Sequence, residues 1–122
     1  MGKSALECDC DIIHTDLVHK AKNNLLTDDT LLNIADFYKA LSDSTRIKII
    51  NLLKDNELCV CDISSILNLT KSTVSHQLKN LREMNLIKNE KRGKEVWYSL
   101  ADEHVKEVFE ISLEHIMEKN DD

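Results

Sequence analysis

The residues best suited to chemistry are four cysteines in two pairs of identical spacing, Cys8/Cys10 and Cys59/Cys61. Deprotonated thiols placed close together ligate soft and borderline ions such as cadmium, lead and zinc. Alternate residues of an extended segment face the same way, so Cys59 and Cys61 can share one ion. The N-terminus of a helix following them would favour thiolates. Asp102, His104, His115 and Glu118 form a second donor set. On a helix His104 and His115 project from the same face to within about 20°, yet lie about 16 Å apart along the axis. One helix therefore does not bring both to one ion. Two copies crossing antiparallel about a two-fold axis do, with Asp102 and His104 of one meeting His115 and Glu118 of the other. Two identical sites of two nitrogens and two carboxylates result, a set that suits tetrahedral zinc. The plainer readings are inert buried cysteines, an Asp102 that only caps its helix, and solvated His115 and Glu118. His14 and His19 do not share a helix face and read as surface residues, His14 being near enough to Cys10 to serve as a spare ligand.

A third group is built for a different partner. With Val74, Leu78 and Leu81 inward at 100° per residue, Ser72, His76 and Lys79 point outward and Thr73 and Ser75 flank them. Hydroxyls and imidazole reach base edges and phosphates, and lysine neutralises the DNA backbone. The charge distribution agrees. The chain carries a net −6, but residues 71–94 carry +5 between flanks of −4 over 1–45 and −7 over 95–122. The plainer alternative is an ordinary amphipathic surface helix.

These groups need elements to hold them. The 122 residues fit one small domain, read as a mobile arm over 1–11 carrying Cys8 and Cys10, then a single domain over 12–122. A short helix is expected over 12–24 with Ile13 and Leu17 inward. A second follows Asp28-Asp29. A third is capped at Ser42-Asp43, with Ile47, Ile50 and Leu53 inward and Ile49 more lateral. A short helix from about Asp62 with Ile63, Ile66 and Leu67, a turn at Asn68-Leu69-Thr70, and a longer helix bearing Val74, Leu78, Leu81 and Asn85 make a helix-turn-helix. Val96, Tyr98 and Leu100 alternate with polar and aromatic neighbours as in a strand. Residues 86–90 pair with it across Lys91-Arg92-Gly93-Lys94, a wing whose basic tip places Arg92 and Lys94 at DNA. A long helix over 102–119 closes the chain. The fold class is mainly α with a small β-hairpin, a homodimeric winged helix-turn-helix.

Other classes are excluded. Gly2 and Gly93 are the only glycines, too few for a phosphate-cradling loop. Aromatics at 4% argue against base-stacking modules for single strands. No nucleophile elbow or HExxH pattern suggests an enzyme. No apolar run spans a bilayer and no signal peptide is visible, so a cytoplasmic location with no membrane partner is expected. In that compartment paired thiols are metal or redox groups rather than structural disulfides.

Three strings carry a resemblance: Ala40-Leu41-Ser42-Asp43 with Thr45-Arg46, Glu57-Leu58-Cys59-Val60-Cys61-Asp62, and Lys71-Ser72-Thr73-Val74-Ser75-His76-Gln77-Leu78. Over about residues 30–119 the chain resembles the ArsR/SmtB family of metal-responsive repressors, whose metal box is the second string. The resemblance implies a dimeric winged helix-turn-helix that represses an operator and is released by metal. It implies DNA contacts at Lys71, Ser72, Ser75 and His76. It implies a terminal-helix site at Asp102, His104, His115 and Glu118, and a thiolate site in which the partner's arm adds Cys8 and Cys10 to Cys59 and Cys61, as in the cadmium- and lead-responsive branch. Arm cysteines of that branch are usually more widely spaced than Cys-Asp-Cys. Ser64 stands where the arsenic-responsive branch has a third box cysteine, which disfavours arsenite. The expected function is a metal-sensing transcriptional repressor binding operator double-stranded DNA as a homodimer, with cadmium, lead or zinc as effector and no organic cofactor. A thiol-redox repressor and a metal-sequestering protein without a DNA role are the alternatives.

Overall fold

The computed structural model describes residues 13–120. Cys8, Cys10 and the expected arm over 1–11 lie outside the described residues. The chain divides into two units, Met1–Asn33 and Ile34–Asp122. Its elements run α1 (Thr15–Asn24), α2 (Asp28–Ala40), α3 (Ser44–Leu53), α4 (Val60–Leu67), α5 (Lys71–Glu83), β1 (Ile87–Arg92), β2 (Glu95–Leu100) and α6 (Glu103–Asn120).

Helix α1 has no buried residue. The expectation that Ile13 and Leu17 point inward is corrected: they are 67% and 64% exposed. Helical periodicity gave the helix, but periodicity alone does not supply a surface to cover its apolar side.

The core of the second unit is aliphatic. Ile49, Ile50, Leu53, Ile63, Val74, Leu78, Leu81, Leu86, Ile87 and Val105 are all buried, with Phe37, Tyr98 and Phe109 packed against them. Asp43 caps α3 as expected, accepting from the Arg46 N–H at 3.0 Å. Within α3 the expected inward face is rotated: Ile49 is fully buried while Ile47 is only half-buried. Ile49 and Ile50 together straddle the buried stripe, because α3 is packed against by α5, β2 and α6.

Helix α4 begins at Val60, two residues before the expected Asp62, and Cys59 is its N-cap. Ile66, expected inward, is 54% exposed, and Ile63 alone of α4 is buried. Asn68 ends the helix in the left-handed conformation at φ 55°, which asparagine tolerates better than most residues. Thr70 then caps α5, accepting from the Thr73 N–H at 3.1 Å. Asn85, expected on the inner face of α5, lies past its end with φ 60°. A left-handed residue there stops the helix and turns the chain into the hairpin.

The hairpin is antiparallel, from Ile87 opposite Leu100 to Arg92 opposite Glu95. Its turn is two residues, Gly93-Lys94, rather than the expected four, and Lys91 and Arg92 belong to β1. Gly93 takes φ 63° at the first turn position, where a two-residue hairpin turn favours glycine. A single bridge from Leu58 to Tyr98 adds the segment before α4 to the open edge of β2.

Candidate nucleic-acid interface and metal-ligand sites

Helices α4 and α5 form the expected pair, and α5 is sharply two-sided. Val74, Leu78 and Leu81 are fully buried. Lys71, Ser72, Thr73, Ser75, His76 and Lys79 are all exposed. Three apolar anchors at helical spacing fix the rotation of α5, and that rotation presents the polar face. Thr73 is partly engaged, since its Oγ1 accepts from the Thr70 hydroxyl at 2.8 Å.

On the wing, Lys94 is exposed at the turn. Arg92 is the last residue of β1, next to the turn, and its side chain is engaged within the protein. Its Nη2 donates to Glu57 at 2.6 Å and to Glu90 at 3.0 Å, and its guanidinium lies 5.6 Å from the Trp97 ring centroid. The Glu90 and Glu57 carboxylates raise the Arg92 pKa above its ordinary value, and Arg92 holds Glu90 below its own.

Cys59 is half-buried and Cys61 exposed. The expected geometry of two thiols on an extended segment is corrected: only Cys59 is extended, and Cys61 stands in the first turn of α4. Asp62 drives this. Its carboxylate accepts the Cys59 N–H and the Cys59 thiol, each at 3.1 Å, closing a capping box that starts the helix at Val60. These two bonds lower the Asp62 pKa, the backbone one most, against partial desolvation. Both cysteines remain at the N-terminal end of α4, where partial positive charge favours thiolates.

Asp102 caps α6. Its Oδ1 accepts from the His104 N–H at 2.9 Å and the Val105 N–H at 3.2 Å, and His104 Nδ1 lies 3.5 Å away. Oδ2 makes neither capping bond. His115 and Glu118 are exposed near the far end of α6. Among the described residues no three His, Cys, Asp or Glu side chains gather to hold a metal within one chain. The terminal-helix donors are thus split into two half-sets, one at each end of α6.

Sequence reading missed two residues here. Asp62 was recoverable, because it stands three positions after Cys59, at capping-box spacing. Glu57 was not, because its partner Arg92 is 35 residues away and no local pattern links them.

A winged helix-turn-helix with an outward polar and basic second helix defines a DNA-binding regulator. Residues 43–89 match the arsR family of bacterial regulatory proteins. A cadmium resistance transcriptional regulatory protein CadC homolog of Staphylococcus aureus is 42% identical over 109 residues, 88% of this chain and 89% of that protein. A transcriptional repressor SmtB homolog of Synechocystis is 34% identical over 113 residues, 93% of this chain and 86% of that protein. Among solved structures, the homodimeric winged helix-turn-helix domain of a possible ArsR-family regulator from Mycobacterium bovis superposes with a TM-score of 0.70 at 26% identity, covering 77% of this chain and 90% of that one. The chain belongs to the arsR family. It is a transcriptional regulator of the winged helix-turn-helix type, not an enzyme.

Proposed function

We propose that this protein binds operator DNA as a homodimer and is released by cadmium, lead or zinc. The observation that carries the DNA half is the two-sided α5, with Val74, Leu78 and Leu81 buried and Ser72, Ser75, His76 and Lys79 exposed. Those side chains match what a major groove offers, and Lys71, Thr73 and the wing's Lys94 add contacts or charge at its edges. The name of the Synechocystis relative, a transcriptional repressor, supports repression, and that of the Staphylococcus relative, a cadmium resistance regulatory protein, supports a cadmium effector.

The dimer reading rests on an open apolar groove of about 390 Å³ lined by residues including Tyr38, Ile47, Val108, Phe109 and Ile116. Leu113 and Ile116 of α6, which also line it, are 44% and 55% exposed. An unpaired face of this kind marks an association surface, and the Mycobacterium bovis relative is a homodimer. A second copy also completes the terminal-helix donors, bringing His115 and Glu118 of one protomer to Asp102 and His104 of the other.

The donor chemistry fits the ions. Cys59 and Cys61, joined by Cys8 and Cys10, suit cadmium and lead; Asp102, His104, His115 and Glu118 suit zinc. Metal and DNA oppose each other through linkage: an ion that favours a dimer with misplaced recognition helices lowers DNA affinity, and DNA lowers metal affinity by the same factor. A sharp switch needs a coupling of about 5 kcal/mol.

The experiment is selection from a random DNA pool on the metal-free protein, followed by metal titration of the selected complex. Enrichment of a two-fold symmetric sequence, and its release by cadmium, lead or zinc, are expected. Failure to enrich any sequence overturns the operator reading.

A further inference from the structure

The cysteine-bearing segment is built into the wing. Glu57, Leu58 and Cys59 are consecutive, and each makes a different connection. Glu57 accepts from Arg92 of β1 at 2.6 Å. Leu58 exchanges two backbone hydrogen bonds with Tyr98 of β2: its N–H donates to the Tyr98 carbonyl at 3.1 Å, and its own carbonyl accepts from the Tyr98 N–H at 2.8 Å. The Cys59 thiol donates to Asp62 at 3.1 Å. Arg92 is also bound to Glu90 of its own strand and lies over Trp97 of β2. One guanidinium nitrogen, Nη2, thus holds both Glu57 and Glu90 of the hairpin.

Exposed ion pairs are weak when isolated. This one is tied to a backbone bridge one residue away, so Glu57 and Leu58 cannot both keep their partners unless the hairpin keeps its place. Among the described residues Lys91 and Lys94 have no carboxylate within ion-pair distance, so the wing has cations to offer DNA besides Arg92.

We propose that Arg92 is a positioning residue rather than a phosphate contact: with Glu57 and the Leu58–Tyr98 bridge it fastens the wing to the Cys59 segment, so that a metal ion taken by Cys59 and Cys61 changes the placement of the wing. The second half rests on the metal reading given under Proposed function. Ligation would release the Cys59 thiol proton to solvent and with it the thiol's bond to Asp62, and would tie the sulfur to the ion at about 2.3 Å for zinc. The adjustment falls on the residue that is one peptide from Leu58 and two from Glu57. Trp97 is the only tryptophan in the chain, so its fluorescence reports the Arg92 stack directly.

The test has a metal-free arm and a metal arm. In the first, binding to the selected duplex is measured across salt concentrations. Arg92→Ala is expected to lower affinity by at most about fivefold and to leave the slope of log K against log salt unchanged, whereas Lys94→Ala flattens it by about one unit. Arg92→Ala flattening the slope as Lys94→Ala does would make Arg92 a phosphate contact and overturn the positioning role. Glu57→Ala and Arg92→Ala should alter Trp97 emission alike, and the double variant no further; additive changes overturn the pairing. In the second arm cadmium alone is added without DNA. The wild type should show thiolate absorption and a Trp97 emission change that saturate together, and Glu57→Ala should keep the absorption with an emission change several-fold smaller. An undiminished change in Glu57→Ala overturns the coupling. Absence of thiolate absorption in the wild type overturns the cysteine metal reading and the coupling with it, while the salt-slope result decides the role of Arg92 separately.

Discussion

The Asp62 carboxylate accepts both the backbone N–H and the thiol of Cys59, at 3.1 Å each. One side chain thus starts α4 and fixes the sulfur that the metal reading depends on. A cation taking the Cys59 thiolate would release the thiol proton to solvent and cost Asp62 that bond. The bond from the Cys59 N–H does not involve the sulfur, so Asp62 would still be able to cap α4.

Acid sensitivity follows from the same contact. Hydrogen bonds from Cys59 lower the Asp62 pKa from its ordinary 3.8. A carboxyl with a lowered folded-state pKa adds stability that is full above the unfolded value and is lost as pH falls through the folded one. The melting-temperature gap between wild type and Asp62→Asn should therefore be widest well above pH 3.8 and close as pH falls below that value. Melts across that range check this, and a gap independent of pH would contradict it.

The recognition helix gives a specific expectation. His76→Ala and Ser75→Ala should each weaken binding to the selected operator by about 1–3 kcal/mol while leaving random duplex binding nearly unchanged. Equilibrium binding to both duplexes measures the difference. A His76→Ala protein that folds and binds the operator normally would remove His76 from the interface.

The cap of that helix is separable from its contacts. Thr70→Ala removes the acceptor for the Thr73 N–H and should cost about 1 kcal/mol of stability. Leu78→Ala, at a fully buried position, should cost about 2–5 kcal/mol. Urea unfolding reads both, and equal costs would mean that Leu78 is not a core anchor.

Sedimentation tests the assembly. The wild type should be a dimer at micromolar concentration without metal, and Ile116→Asp, a change on the exposed side of α6, should yield a folded monomer with strongly reduced operator affinity. A wild-type monomer would remove the basis for joining His104 to His115 across two chains.

Much of the fold was legible because its cues are local. Asp43 announces α3, Gly93 announces the wing turn, and the spacing of Val74, Leu78 and Leu81 sets the rotation of α5 and hence which residues face outward. Asn85 misled because helical spacing continues past Glu83, and only the left-handed backbone at Asn85 shows that the helix has stopped. Ile49 was misplaced because α3 packs against three elements, so its buried stripe is wider than one helix face in isolation suggests. Cys59 and Cys61 were read as extended because the capping role of Asp62 was overlooked. The position of Arg92 depends on Glu57 and Trp97, contacts made by tertiary folding that no spacing along the chain encodes.

The central claim is that metal and DNA compete for this protein through its thiolates and its terminal helix. It is tested most directly by titrating the operator complex with cadmium and with zinc while following thiolate absorption and DNA release together, in wild type, Cys59→Ser and His104→Ala. The expected result is that Cys59→Ser loses the cadmium absorption, and that His104→Ala keeps that absorption but no longer releases DNA with zinc. Release of the operator by neither metal in the wild type, with thiolate absorption present, would contradict the claim, because the ions would then bind without acting on DNA.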